Sequence, residues 1–178
     1  MNGIKGTRSG EIENPAPGII ETFRECLGVV FFNEKYISLL YLNKNHIYNI
    51  ITIFLFMIII PYKSAFSEEI FSVSRVVEAI ILTISFISLA YFFVPKKRTA
   101  FYGFFRVALG AEVVDIFNPI SFFIPTEFVM YYNAVMAGWY MTVIAVILNK
   151  LHGMPRTIGF FYVLFIFFLT NLIPVIFG

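Results

Sequence analysis

Four ionisable residues stand out in this chain because of the apolar sequence around them: Arg75, Glu78, Glu112 and Asp115. A charged side chain at the centre of a bilayer costs about 2.5–3.5 kcal/mol even on the mildest scales, unless it is paired or hydrated. Arg75 and Glu78 are three residues apart, as are Glu112 and Asp115, so each pair shares one face of a helix. Folding the chain about the turn Pro95-Lys96-Lys97-Arg98 sets Asp115 level with Ile80 and Glu112 level with Thr83. That brings all four groups into one polar cluster. Such a cluster serves a proton or cation site, or a proton relay. The plainer alternative is that Arg75 neutralises one acid while the others face water or helix ends. Arg106 lies on another face from Glu112 and is expected to snorkel to the headgroups.

Little else in the sequence carries chemistry. The two histidines, His46 and His152, are far apart in the chain and both sit near the ends of apolar stretches. Cys26 is the single cysteine, which excludes an intrachain disulfide and a thiolate metal cluster. It reads as a small packing residue. HExxH, CxxC, GxSxG, P-loop and GxGxxG patterns are all absent from the sequence. No catalytic residue, metal ligand or cofactor is therefore assigned, and the chain is not expected to be an enzyme. The net charge of +2 gives no footing for nucleic acid.

The elements that hold these residues follow from composition. Hydrophobic residues make up 59% of the 178 and charged residues 13%. A soluble domain carries about 25% charged residues. Too little polar surface is present to face water, so the expected class is an all-α integral membrane protein. Residues 1–18 read as a disordered polar arm without a signal-peptide core. In residues 19–46 an amphipathic helix comes first. Its apolar stripe is Ile20, Phe23, Leu27 and Val30/Phe31, with Glu21, Arg24 and Glu25 off the stripe. It is too short to span, and belongs in the headgroup plane or against the bundle. Residues 47–178 contain five apolar stretches, about 47–65, 73–94, 101–118, 128–148 and 157–177. The third is expected to break at Asn118-Pro119.

Lys and Arg set the orientation. With five spans, Lys5, Arg8, Arg24, Lys35, Lys44, Lys96, Lys97, Arg98, Lys150 and Arg156 fall on one side, and Lys63 and Arg75 on the other. The positive-inside rule then places the N-terminus in the cytoplasm and the C-terminus outside. Ala134, Gly138, Thr142 and Ala145 form a small-residue face on the fourth stretch, suited to close helix packing or to homo-oligomerisation. Tyr131, Tyr132, Trp139 and Tyr140 read as anchors and packing residues.

The stretch Thr99-Ala-Phe-Tyr-Gly-Phe-Phe-Arg-Val-Ala-Leu-Gly110 is followed by the break at Asn118-Pro119 and a Trp-containing span. Then Ile147-Leu-Asn-Lys-Leu-His-Gly-Met-Pro-Arg-Thr-Ile158 leads into the last apolar stretch. This order resembles the Yip family (Ypt/Rab-interacting membrane proteins), in particular its prokaryotic branch, over roughly residues 18–178. The resemblance implies five transmembrane helices, a cytoplasmic N-terminus, a prokaryotic cell membrane and no catalysis. Eukaryotic members act in trafficking and membrane shaping with Rab-type GTPases. Here their Asp-Leu-Tyr-Gly-Pro motif is absent and Ala111 follows Gly110 where they have Tyr, so a Rab-type GTPase is not an expected partner.

The expected function is thus a membrane-organising or trafficking-like scaffold, with the lipid bilayer and other membrane proteins as partners. The alternatives are a small transporter or channel subunit using the intramembrane acids, and an assembly factor of a larger membrane complex.

Overall fold

The computed structural model describes residues 17–63, 72–95 and 98–172. The arm before Pro17, residues 64–71 with the end of the first expected stretch, Lys96 and Lys97 of the basic turn, and the last six residues lie outside the described residues. Every described element is helical. They are α1 (Ile19–Val30), α2 (Glu34–Leu42), a 3-10 turn (Lys44–His46), α3 (Ile47–Ile59), α4 (Val73–Phe92), α5 (Phe101–Gly110), a 3-10 segment (Ala111–Phe123), α6 (Thr126–His152) and α7 (Arg156–Asn171).

Among the described residues, α4 and α6 are each long and apolar enough to cross a membrane. A third crossing is available if α2 and Lys44–Ile59, bent by 90° at Asn43, count as one broken span. That is two or three candidate crossings against the five expected. Within the first stretch the helix ends at Ile59, and α7 is described to Asn171; residues 64–65 and 173–177 of these two stretches lie outside the described residues. The third stretch does not break at Asn118-Pro119. It changes geometry at Gly110 and continues to Phe123, with Pro119 inside the 3-10 segment. Such segments rarely exceed three or four residues, and this one has 13. At a rise of about 2.0 Å per residue it stretches the chain, so that α5 and the segment together cover about 40 Å.

Hydrogen bonds fix which element ends meet. At one end of the bundle Tyr91 Oη donates to Thr99 O (2.8 Å), the Arg98 amide donates to His152 Nδ1 (3.3 Å), and Thr99 Oγ1 lies 3.2 Å from His152 Nε2. Glu34 joins the same end through Lys150 (3.1 Å) and Arg156 (2.8 Å). At the opposite end the Lys63 amide donates to Ser121 Oγ (2.7 Å) and Lys63 Nζ donates to Ile124 O (3.3 Å). Gly153 closes α6 in the left-handed region (φ 71°) that favours glycine, and a Cβ there would meet the Arg98 guanidinium.

α1 and α2 form a helical hairpin packed against the half of the bundle that holds Arg98, Lys150 and Arg156: Glu34, next to its tip, meets Lys150 and Arg156 there. Near its start, Thr22 Oγ1 lies 2.9 Å from His46 Nδ1, just before α3. Near its finish, Leu40 and Tyr41 present their carbonyls to Arg106 of α5. Its tip carries Phe31, which packs edge-on against Phe117 and beside Trp139, while the Trp139 indole donates to Val30 O (3.1 Å). Two glycines admit this packing. The Tyr36 ring lies over Gly28 between the two arms, and the Tyr41 ring lies over Gly103 of α5.

The buried face of α1 differs from the expected stripe. Thr22, Glu25, Cys26, Val29 and Val30 are buried, whereas Ile20 is 81% exposed and Phe31 57%. In water an apolar stripe must turn inward. In lipid the tails satisfy it, and the polar side chains seek protein partners instead. Here Glu25 lies 3.2 Å from His46 Nε2, and Asn49 donates to Thr22 Oγ1 at 3.1 Å. Cys26 is fully buried, its sulfur against Gly110.

Candidate functional site

Glu112 opens the 3-10 segment and is buried, 8% exposed. Tyr140, midway along α6, donates its hydroxyl to Glu112 Oε1 at 2.5 Å. Both residues line two clefts. The larger, about 320 Å³, is walled by the 3-10 segment and α6, with Ala79 of α4 and Tyr62 completing it. Its polar groups are Glu112, Asp115, Asn118, Asn133, Tyr62 and Tyr140. The smaller, about 140 Å³, lies on the other side of Glu112, against Leu82, Thr83 and Phe86 of α4 and Phe167 and Thr170 of α7. It is mostly apolar.

The change of helix geometry positions these groups. In an α-helix, residues three apart are offset by about 60°, whereas in a 3-10 helix they eclipse. Glu112, Asp115 and Asn118 therefore stand in one row along the segment, and all three line the larger cleft. Pro119, which lacks an amide hydrogen, sits just past this row. Tyr132 fixes the far part of the segment by donating to Phe117 O (2.7 Å), and Trp139 stacks on the Phe117 ring at 5.4 Å.

The expected cluster of four is thus divided. Glu112 and Asp115 share a cleft. Glu78 is exposed and Arg75 half-buried, and neither is among the residues lining that cleft. Ala79, next to Glu78, lines it instead, and Thr83 lines the smaller cleft with Glu112, the level that folding about the basic turn implies. Arg106 does not snorkel. It is buried, donating Nε to Leu40 O at 2.5 Å and Nη2 to Tyr41 O. The α2 end, 65 residues away in sequence, supplies the acceptors that headgroups would otherwise provide.

The small-residue face of α6 is also divided. Ala145 packs against Gly159 of α7, where an added Cβ would touch the Ala145 backbone at 3.4 Å. Gly138 faces open space, Ala134 is exposed, and Thr142 donates back to Gly138 O (2.7 Å). Sequence reasoning missed Tyr140, Asn118 and Asn133 as companions of the acids. The spacing of Glu112, Asp115 and Asn118 at three and three could have pointed to Asn118; no local pattern points to Asn133 or Tyr140 on α6. Among the described residues no group of three His, Cys, Asp or Glu side chains is placed to hold a metal ion.

Outside the bundle interior, Glu34 is held below the ordinary carboxylate range by its hydrogen bond and charge interaction with Lys150, and then by Arg156. Burial lowers the imidazole of His46 below its ordinary value.

Comparison with protein-family models, with curated proteins and with solved structures finds no match to this chain.

Proposed function

We propose that this chain is a non-enzymatic multi-pass membrane protein that shapes or organises the bilayer around it, in the manner that its resemblance to the Yip family implies. The reading takes five crossings, with the N-terminus cytoplasmic and the C-terminus outside. It places α3, α4, α5 with the 3-10 segment, α6 and α7 across the membrane of a prokaryotic cell.

The observation that supports it is the α1–α2 hairpin. Each helix adds a cylinder about 10 Å across. Because α2 is tied at its start by Glu34 to Lys150 and Arg156 and at its finish by Arg106, both cylinders fall in the half of the bundle that also holds Arg98. On this reading the two added cylinders make that half wider than the half holding Lys63 and Ile124. A protein with unequal cross-sections in the two leaflets sits at lowest energy in a curved bilayer. Ile19, Ile20 and Leu42, exposed apolar residues at the base of the hairpin, give it a lipid-facing surface.

The test is reconstitution of the purified full chain at rising density into vesicles of defined diameter. The wedge predicts protein enrichment in the smallest vesicles, and a weaker enrichment for Gly28→Leu, which unseats Tyr36. Equal density across all diameters for the unmodified chain excludes the reading.

A further inference from the structure

We infer that His46 and Glu25 form a proton-binding site that makes the joint between the α1–α2 hairpin and α3 responsive to pH. This goes beyond the membrane-shaping reading and stands on separate observations. His46, the last residue before α3, and Glu25 of α1 are both buried. Glu25 is 8% exposed, and its Oε2 has no hydrogen-bond partner among the described residues. His46 Nε2 stands 3.2 Å from that oxygen. On the other side of the ring, Nδ1 lies 2.9 Å from Thr22 Oγ1. The Thr22 hydroxyl is also 3.1 Å from Gly18 O, and it accepts from the Asn49 amide at 3.1 Å.

The cluster is one hydrogen short. The contacts Thr22–Gly18, Thr22–His46 and His46–Glu25 need a hydrogen each, while the Thr22 hydroxyl and a neutral imidazole supply two. One added proton completes the set. Nδ1–H then donates to Thr22 Oγ1, the hydroxyl donates to Gly18 O, and Nε2–H faces the Glu25 carboxylate. Proton uptake thus turns a hydroxyl at the first turn of α1 and sets two opposite charges side by side at the start of α3. Around the pair, Glu21 and Arg24 on α1 and Arg106 on α5 are the charges that act on it, while its sequence neighbours Lys44 and Tyr48 are exposed. Burial lowers the imidazole below its ordinary value, with Glu21 opposing that shift and Arg106 adding to it. Burial raises the Glu25 carboxyl, with Glu21 adding and Arg24 opposing. The two groups are drawn toward a common range, where they share one proton.

The experiment follows the ring nitrogens of isotope-labelled histidine by NMR across a pH series, using the full chain in nanodiscs. His152, the other histidine, is the internal control, and His152→Gln assigns the two signals. The expected result is that His46 gains a second ring proton on acidification, with a midpoint below the ordinary imidazole value. In Glu25→Gln that midpoint falls by about one further pH unit or more, a tenfold loss of proton affinity, while His152 keeps its own. Thr22→Val lowers it as well, because Nδ1–H loses its acceptor. A midpoint at the ordinary imidazole value in the unmodified chain overturns the inference, as does one that Glu25→Gln leaves unchanged. A His46 ring that keeps a single proton down to the acid limit of the fold also overturns it. Should Glu25→Gln fail to fold, Glu25→Asp decides: it draws the carboxylate back by one methylene and must lower the midpoint too.

Discussion

Tyr140 and Glu112 are joined by a 2.5 Å hydrogen bond that ties the middle of α6 to the first turn of the 3-10 segment. The phenol is the one donor to this carboxylate among the described residues. Tyr140→Phe removes it and leaves a buried acceptor unsatisfied. The expected loss is about 1–2 kcal/mol, the upper part of the range for hydrogen bonds within membranes. Glu112→Gln keeps an acceptor for Tyr140 and loses less. Denaturant titration in mixed micelles measures both.

The glycines under the hairpin tyrosines make a second prediction. A Cβ on Gly28 would lie 2.1 Å from the Tyr36 ring, and one on Gly103 would lie 2.2 Å from the Tyr41 ring. Neither ring can stay where it is, so Gly28→Ala and Gly103→Ala each cost about 1–3 kcal/mol by overpacking. Adding Tyr36→Ala to Gly28→Ala recovers part of that loss. A double-mutant cycle on unfolding free energy reads the coupling.

Arg106 is the clamp between α5 and the end of α2. Arg106→Met strips the carbonyls of Leu40 and Tyr41 of their donors, and hydrogen bonds from a charged group contribute about 1.5–3 kcal/mol each. Arg106→Lys restores one bond at most, since an ammonium cannot reproduce the guanidinium fork. Faster hydrogen exchange at the α2 amides, in the order Met over Lys over the native residue, is the expected readout.

Glu34 links α2 to the α6–α7 connection and should respond to pH and salt. Its folded pKa is depressed by Lys150 and Arg156, so its contribution is fully present above the unfolded carboxylate value. The contribution is lost as pH falls through the lower folded value. The pairs are partly exposed, so salt screens them. Exchange at the α2 amides should rise on acidification and at high salt. Both responses should vanish in Glu34→Gln.

Composition alone pointed to helices suited to a membrane, because 13% charge is too little to clothe 178 residues in water, and α4 and α6 are long and apolar enough to cross one. The inward face of α1 could not be read in the same way. The stripe Ile20–Phe23–Leu27 is what a periodicity search finds, yet Thr22 and Glu25 point inward because His46 and Asn49 wait there. The 3-10 segment was equally hidden, since Ala111–Phe123 has the composition of any apolar helix. Only the row Glu112, Asp115, Asn118 betrays a period of three. Arg106 found its acceptors, and Tyr140 its carboxylate, through tertiary neighbours that no local pattern reveals.

The central claim is that α1 and α2 stay on one side of the membrane, packed against one half of the bundle. Single cysteines at Gly18 and Lys44, the two bases of the hairpin, and at Glu127 beyond it, test this directly in a Cys26→Ala background. Labelling with a membrane-impermeant maleimide in vesicles of known orientation should mark Gly18→Cys and Lys44→Cys from one side and Glu127→Cys from the other. Labelling of Gly18→Cys and Lys44→Cys from opposite sides would mean that the segment crosses the membrane, and would contradict the account.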